Sequence, residues 1–201
     1  MNLIAAVVLS YLLGSIPTAY LFGKWLKGID IRRHGSGNVG ATKTFRVLGK
    51  WPGIIVLVLD ILKGTAALLI VGGLLGVRSP AGLALLSVAV VCGHNWTVFL
   101  NFKGGKGIAA SLGVLIGMAI ALPGIVPVLA LSVAVWAVVF GFSRYISLAS
   151  MTAAVALPFL MAFFSQAPEL VLMGAVFCLF VIYRHRSNLS RIFQGTESRV
   201  R

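Results

Sequence analysis

Residues 53–76 read Gly-Ile-Ile-Val-Leu-Val-Leu-Asp-Ile-Leu-Lys-Gly-Thr-Ala-Ala-Leu-Leu-Ile-Val-Gly-Gly-Leu-Leu-Gly, and their only charged side chains are Asp60 and Lys63. A helix of that length reaches about 36 Å, more than the ~30 Å hydrocarbon core of a bilayer. Similar apolar runs lie near 2–24, 80–98, 108–122, 126–142, 146–164 and 168–184. The sequence therefore predicts an all-α, polytopic integral membrane protein with about seven transmembrane helices. The runs at 108–122 and 126–142 are short, and Pro123 and Pro127 favour a turn between them. Five or six full spans with one re-entrant segment is the competing count.

Composition agrees. The 201 residues are 59% hydrophobic, with a mean hydropathy of +1.03. A soluble fold of this size could not hide so much apolar surface, whereas lipid solvates apolar helix faces. The expectation is one membrane domain over residues 1–201 with no soluble domain. The first 26 residues lack a basic leader and a small-residue cleavage site, so they are taken as the first membrane helix. Cys92 and Cys178 lie in apolar runs without motif spacing and are expected to be packed, reduced thiols. No internal repeat of useful length is visible.

Seventeen Lys and Arg face four acids, a formal net charge of +13. Nucleic-acid binding would need a basic face on a soluble fold, which is absent. The excess instead suits cytoplasmic loops, anionic headgroups or anionic substrates. With the N-terminus outside and seven crossings, the C-terminus is cytoplasmic. The cytoplasmic side then collects nearly all the basic residues, and the outer side only Arg78.

On that topology three polar segments share the cytoplasmic face, at 30–50, 93–107 and 183–197. One composite site at the membrane boundary is the expectation. The first segment reads His34-Gly35-Ser36-Gly37-Asn38-Val39-Gly40-Ala41-Thr42-Lys43-Thr44-Phe45-Arg46. Its glycines permit close backbone approach. Ser36, Asn38 and Thr42 add hydrogen-bonding groups, and Lys43 and Arg46 add charge, so Gly37 and Gly40 can help form an anion nest. Thr42–Arg46 can open a helix whose amino end faces a phosphate. The bland alternative is a basic loop on an anionic membrane, with Asp30 paired to a nearby Arg.

The second segment contains Gly93-His94-Asn95-Trp96 and then Lys103-Gly104-Gly105-Lys106-Gly107, just before an apolar helix expected from Ile108. It is not a Walker A loop, because Gly107 follows Lys106 in place of Ser or Thr. Its alternative is a Gly-rich turn with snorkelling lysines, and His94 can be a plain interfacial residue. The third segment carries His185 and Asn188, three apart and so on one face if the helix continues. His185 can act as base, donor or orienter. A basic stop-transfer tail is the alternative, with Glu197 paired to a basic residue. Asp60 and Lys63, also three apart, read as an internal ion pair or as a lysine reaching towards the site.

Absences narrow the chemistry. Four scattered acids cannot build a two-metal carboxylate site. No Asp stands five residues after His94 or His185, and no Gly-x-Ser-x-Gly elbow occurs, so a covalent acyl-enzyme is not suggested. Residue chemistry alone leaves open a membrane enzyme, a carrier of phosphorylated lipid or a lipid-binding scaffold.

Taken in order, Gly-Ser-Ile-Pro-Thr-Ala-Tyr at 14–20, Gly-Ser-Gly-Asn-Val-Gly-Ala-Thr at 35–42, Phe-Lys-Gly-Gly-Lys-Gly at 102–107 and Arg-His-x-x-Asn at 184–188 resemble the bacterial acyl-phosphate:glycerol-3-phosphate acyltransferases, the PlsY family. The resemblance runs over most of the chain. It implies transfer of a fatty acyl group from acyl phosphate to the sn-1 hydroxyl of glycerol 3-phosphate, giving lysophosphatidic acid and phosphate in phospholipid biosynthesis. It implies no coenzyme A, no metal and no cofactor. It also implies a soluble acyl-phosphate-producing enzyme as metabolic partner and a place in the bacterial inner membrane, with the site on the cytoplasmic side. By the same resemblance Ser36, Arg46, His185 and Asn188 are catalytic. Gly37, Asn38, Gly40, Thr42, Lys43 and Lys103–Gly107 bind substrate, Gly104–Gly107 being the glycerol 3-phosphate loop. Glu197 matches an acid that holds structure. Lys43 stands where Asn is common in the family, and Trp96-Thr97 where Phe-Pro is.

Overall fold

The computed structural model describes residues 2–33 and 39–200. Among these residues every regular element is helical. The chain divides into two compact units, Met1–Gly117 and Met118–Arg201.

In the first unit the 2–24 run becomes two helices, α1 (Asn2–Ser15) and α2 (Thr18–Lys27). Pro17 separates them because its ring nitrogen has no hydrogen to donate. Gly28 ends α2 in the left-handed conformation, φ 65°, and its N–H returns to the Lys24 carbonyl. A short helix, α3 (Ala41–Leu48), then lies before α4 (Lys50–Ala66), which continues through a wider π-helical stretch, Ala67–Gly72. α5 (Pro80–Asn95) starts on Ser79, whose hydroxyl accepts from Gly82 N–H, with Pro80 in the first turn. α6 (Ile108–Ala121) starts where the sequence predicts, and the boundary between the units falls within it.

Small residues set the packing. A Cβ at Gly14 of α1 would fall on the Val90 carbonyl of α5, and one at Gly93 of α5 on the Tyr11 carbonyl of α1. α4 and α6 meet in the same way. A Cβ at Gly64 would strike the Ala110 carbonyl and one at Gly113 the Ile61 carbonyl. The Thr65 hydroxyl donates to the Gly113 carbonyl at 2.8 Å. Lipid gives helices no hydrophobic drive to associate, so such close backbone approach is what holds them.

In the second unit α7 (Val126–Ser143) turns at Arg144, φ 60°, into α8 (Ile146–Phe163). α9 (Pro168–Arg184) follows, and α10 (Arg186–Phe193) leaves it at a 58° bend. Trp136 Nε1 donates to Ser150 Oγ at 3.2 Å between α7 and α8, and Gly174 of α9 lets Pro158 of α8 come close.

All seven apolar runs are helical. Among the described residues five helical stretches are long and apolar enough to cross a bilayer: Asn2–Lys27, Lys50–Gly72, Pro80–Leu100, Pro123–Ser143 and Ile146–Phe163. The bent pair α9–α10 makes a sixth if it is counted as one span, and α6 is a shorter apolar helix. Leu74, Phe142, Phe159, Phe163 and Leu179 point outward, each more than 65% exposed, as lipid-facing side chains do. The protein is an all-α, multi-pass integral membrane protein.

Candidate functional site

In the first unit, the approach to the first polar segment is fixed by Asp30. Its carboxylate accepts from the Arg32 backbone at 3.0 Å and from Arg32 Nη2 at 2.8 Å. The Arg32 side-chain hydrogen bond lowers the Asp30 pKa to about 2, outweighing its partial burial. Asp30 thus pairs with a nearby Arg, as the plain reading of the sequence has it. His34, Gly35, Ser36, Gly37 and Asn38 lie outside the described residues, so the expectations for Ser36, Gly37 and Asn38 concern positions the structure does not describe.

Val39 is buried against Ala19, Ile31, Val56 and Leu100. Gly40 then opens α3, its carbonyl accepting from the N–H groups of Lys43 and Thr44 and from the Thr44 hydroxyl, each at 3.1 Å. Thr42 and Arg46 are exposed on α3. Lys43 faces inward, only 7% exposed, and its ammonium has no hydrogen-bond partner among the described residues. Burial pushes its pKa down, because a desolvated ammonium favours its neutral form.

The second segment folds back on itself. After α5, Trp96 N–H still reaches Cys92. The Thr97 hydroxyl donates to the Ser15 carbonyl at 2.5 Å and accepts from Phe99 N–H. Asn101 and Phe102 take positive φ, which returns the chain so that Gly104 N–H donates to the Asn95 carbonyl and Gly105 N–H to the His94 carbonyl, at 3.1 and 2.9 Å. A Cβ at Gly105 would collide with His94 Nε2 and lie 2.7 Å from the Val39 carbonyl. Gly107, φ 85°, leads into α6. Lys103 is exposed and Lys106 partly buried, the latter two residues before the amino end of a helix, where partial positive charge favours an anion.

The first two segments therefore meet, with Val39 beside Gly105. Two groups beneath this loop belong to the second segment but were given no site role from sequence. Asn95 is fully buried, and neither its Oδ1 nor its Nδ2 has a hydrogen-bond partner among the described residues. His94 is buried in the same place. Their signal in the sequence is a polar pair closing an otherwise apolar helix.

In the second unit His185 sits at the α9–α10 bend, 3% exposed. Its Nδ1 lies 2.8 Å from the Val181 carbonyl. A carbonyl only accepts, so Nδ1 carries the hydrogen and Nε2 is the basic nitrogen of the neutral ring. Asn188 Nδ2 donates to Glu197 Oε1 at 2.6 Å, Ser147 Oγ to the same oxygen at 2.7 Å, and Arg191 Nε to Oε2 at 2.7 Å. Burial alone would raise the Glu197 pKa, but these hydrogen bonds outweigh it and hold the carboxyl below its ordinary value. Glu197 thus pairs with a basic residue and ties down the tail.

Such a chain is a helical membrane protein whose glycine loop and buried histidines stand at the ends of its apolar helices. A family model described as glycerol-3-phosphate acyltransferase matches residues 4–195. The chain belongs to that family. It is 46% identical over 197 residues to glycerol-3-phosphate acyltransferase 2 of Moorella thermoacetica, covering 97% of this chain and 96% of that one. It is 47% identical over 197 residues to the enzyme of Desulforudis audaxviator, covering 98% and 94%. Among solved structures it resembles PlsY, an integral membrane glycerol 3-phosphate acyltransferase, in its glycerol 3-phosphate form, with a TM-score of 0.89 and 39% identity. For the lysophosphatidic acid form the TM-score is 0.86 at the same identity. Each alignment covers all of this chain and 96% of the other.

Proposed function

We propose that this membrane enzyme transfers a fatty acyl group from acyl phosphate to the sn-1 hydroxyl of glycerol 3-phosphate, releasing lysophosphatidic acid and phosphate. The observation that carries the reading is the Lys103–Gly107 loop. Its glycine backbone is pinned to the end of α5 and presents Lys106 before the amino end of α6, in a chain of this family. PlsY forms named for glycerol 3-phosphate and lysophosphatidic acid support it.

Acyl phosphate is a mixed anhydride with a good leaving group. The enzyme's task is to bring two anions together and orient a hydroxyl. Holding both reactants removes an entropic barrier that can reach about 7–11 kcal/mol, and nearby cations offset the repulsion between phosphates. Gly104–Gly107 with Lys103 and Lys106 takes glycerol 3-phosphate. Ser36, Gly37, Asn38, Gly40, Thr42, Lys43 and Arg46 serve the other polar segment, where the amino end of α3 and the Lys43 ammonium suit a phosphate. The glycerol hydroxyl oxygen attacks the acyl carbonyl, the bond from that carbon to the phosphate oxygen breaks, and the hydroxyl proton passes to His185 Nε2, or to a substrate phosphate where His185 only orients the hydroxyl. Asn188, held by Glu197, stands one turn away. Attack is direct, without an acyl-enzyme. The chain works as one membrane domain in the bacterial inner membrane, with its site on the cytoplasmic side and a soluble enzyme supplying the acyl phosphate.

The test uses purified protein in lipid or detergent, with palmitoyl phosphate and glycerol 3-phosphate in chelator, and palmitoyl-CoA in a parallel sample. Lysophosphatidic acid from the acyl phosphate alone is expected. Product from neither donor in folded protein overturns the reading.

A further inference from the structure

Within the first unit, the Asp60–Lys63 pair joins parts of the chain that the sequence shows far apart. Asp60 of α4 is 1% exposed. Its Oδ1 accepts from Thr18 Oγ at 2.7 Å, at the start of α2, and lies 2.9 Å from Lys63 Nζ. Lys63 also donates to the Ile16 carbonyl at 3.1 Å, where Pro17 interrupts the helix. His94 Nδ1 lies 3.7 Å from the same Asp60 oxygen, too long for a hydrogen bond but close enough for the carboxylate's charge to orient the ring. The opposite edge of that ring, Nε2, fills the place a Cβ at Gly105 would take, and the His94 and Asn95 carbonyls receive the N–H groups of Gly105 and Gly104. The imidazole is wedged between the Asp60 carboxylate and the Gly104–Gly105 backbone.

An ion pair inside an apolar helix is costly to bury, and an apolar pair of similar volume would serve packing as well. Thr18 and the Ile16 carbonyl satisfy hydrogen-bonding capacity that any buried pair must fill, whereas His94, set against Asp60 on one side and Gly105 on the other, links the pair to the loop. We propose that Asp60 is a positioning residue for acyl transfer: through His94 it sets the placement of the Lys103–Gly107 loop, and so of Lys106, against glycerol 3-phosphate. The inference rests on the reading of that loop as the glycerol 3-phosphate site.

The experiment is steady-state kinetics on the full-length enzyme, with each substrate varied in turn. The variants are Asp60→Asn, the apolar double Asp60→Leu/Lys63→Met, and Lys106→Ala as reference. Asp60→Asn keeps shape and removes charge. It is expected to raise the KM for glycerol 3-phosphate roughly 10- to 100-fold, with kcat and the KM for acyl phosphate within about threefold of wild type. The double variant has no unpaired charge to bury, so it keeps the fold if Asp60→Asn does not, and is expected to show the same raised KM. A double variant that folds and has the wild-type KM for glycerol 3-phosphate makes the pair purely structural and overturns the proposal. So does a Lys106→Ala effect on that KM that Asp60→Asn does not share. If Lys106→Ala and Asp60→Asn both raise the KM for acyl phosphate instead, the loop assignment falls while the positioning role stands.

Discussion

Replacing Glu197 by Ala removes the acceptor at which the Ser147 hydroxyl, the Asn188 amide and the Arg191 guanidinium converge, all within 2.7 Å. Hydrogen bonds to an ionised group contribute about 1.5–3 kcal/mol each. The Arg191 side chain is 36% exposed, so water screens that pair and it adds no more than about 1 kcal/mol. The Ser147 and Asn188 bonds are more sheltered, so the total loss is on the order of 4 kcal/mol. Glu197→Gln keeps an oxygen acceptor but no charge, and should lose about half as much. Thermal denaturation in one detergent or nanodisc composition measures both, with turnover read in parallel, because Asn188 loses its anchor. Acid gives an independent check. The carboxyl is held below its ordinary value of 4.5, so its contribution is complete above that pH and is lost as pH falls through the lower folded value. The wild type should therefore lose stability on acidification through a component that the Ala variant lacks. A Glu197→Ala protein as stable as wild type, with the same acid sensitivity, would refute the reasoning.

Two further outcomes follow from single contacts. Lys43→Met removes a buried ammonium that has no hydrogen-bond partner among the described residues, so it should stabilise the fold by about 1 kcal/mol or more while raising the KM for a phosphate-bearing substrate. Because burial lowers the folded-state pKa of Lys43, wild-type stability should rise with pH between that value and 10.5, and the Met variant should lose that rise in denaturation curves. Gly113→Ala drives a Cβ into the Ile61 carbonyl and should cost about 1–3 kcal/mol, whereas Gly141→Ala, with open space around it, should denature like wild type.

The spans were legible because a bilayer imposes a length and a polarity that few other solvents do, and runs such as 126–142 and 146–164 meet both. Pro17 was less legible. The run 2–24 reads as continuous, and only the break between α1 and α2 frees the Ile16 carbonyl for Lys63. Gly28 and Gly107 take positive φ at the ends of their segments, in keeping with their residue type. At the site, the Lys103–Gly107 loop and the helix after it could be read from glycine and lysine spacing. The seat of that loop on His94 and Asn95 could not, since it depends on the close approach of residues nine and eleven apart at the end of a helix. Thr97 shows the same limit. Its hydroxyl reaches Ser15, 82 positions earlier, and no local pattern announces so distant a partner.

The crossing of α4 and α6 at Gly64 and Gly113 leaves no layer of side chains between the two backbones. Such a joint cannot slide freely like a piston, because a shift of about one turn would bring Ala109 or Ile116, which share the face of Gly113, against a carbonyl that now faces bare glycine. The Lys103–Gly107 loop is therefore mounted on a rail of fixed height. Any adjustment during turnover must come from the few bonds between Asn101 and Gly107, and mechanical strain in the surrounding lipid should reach the loop only weakly through α6.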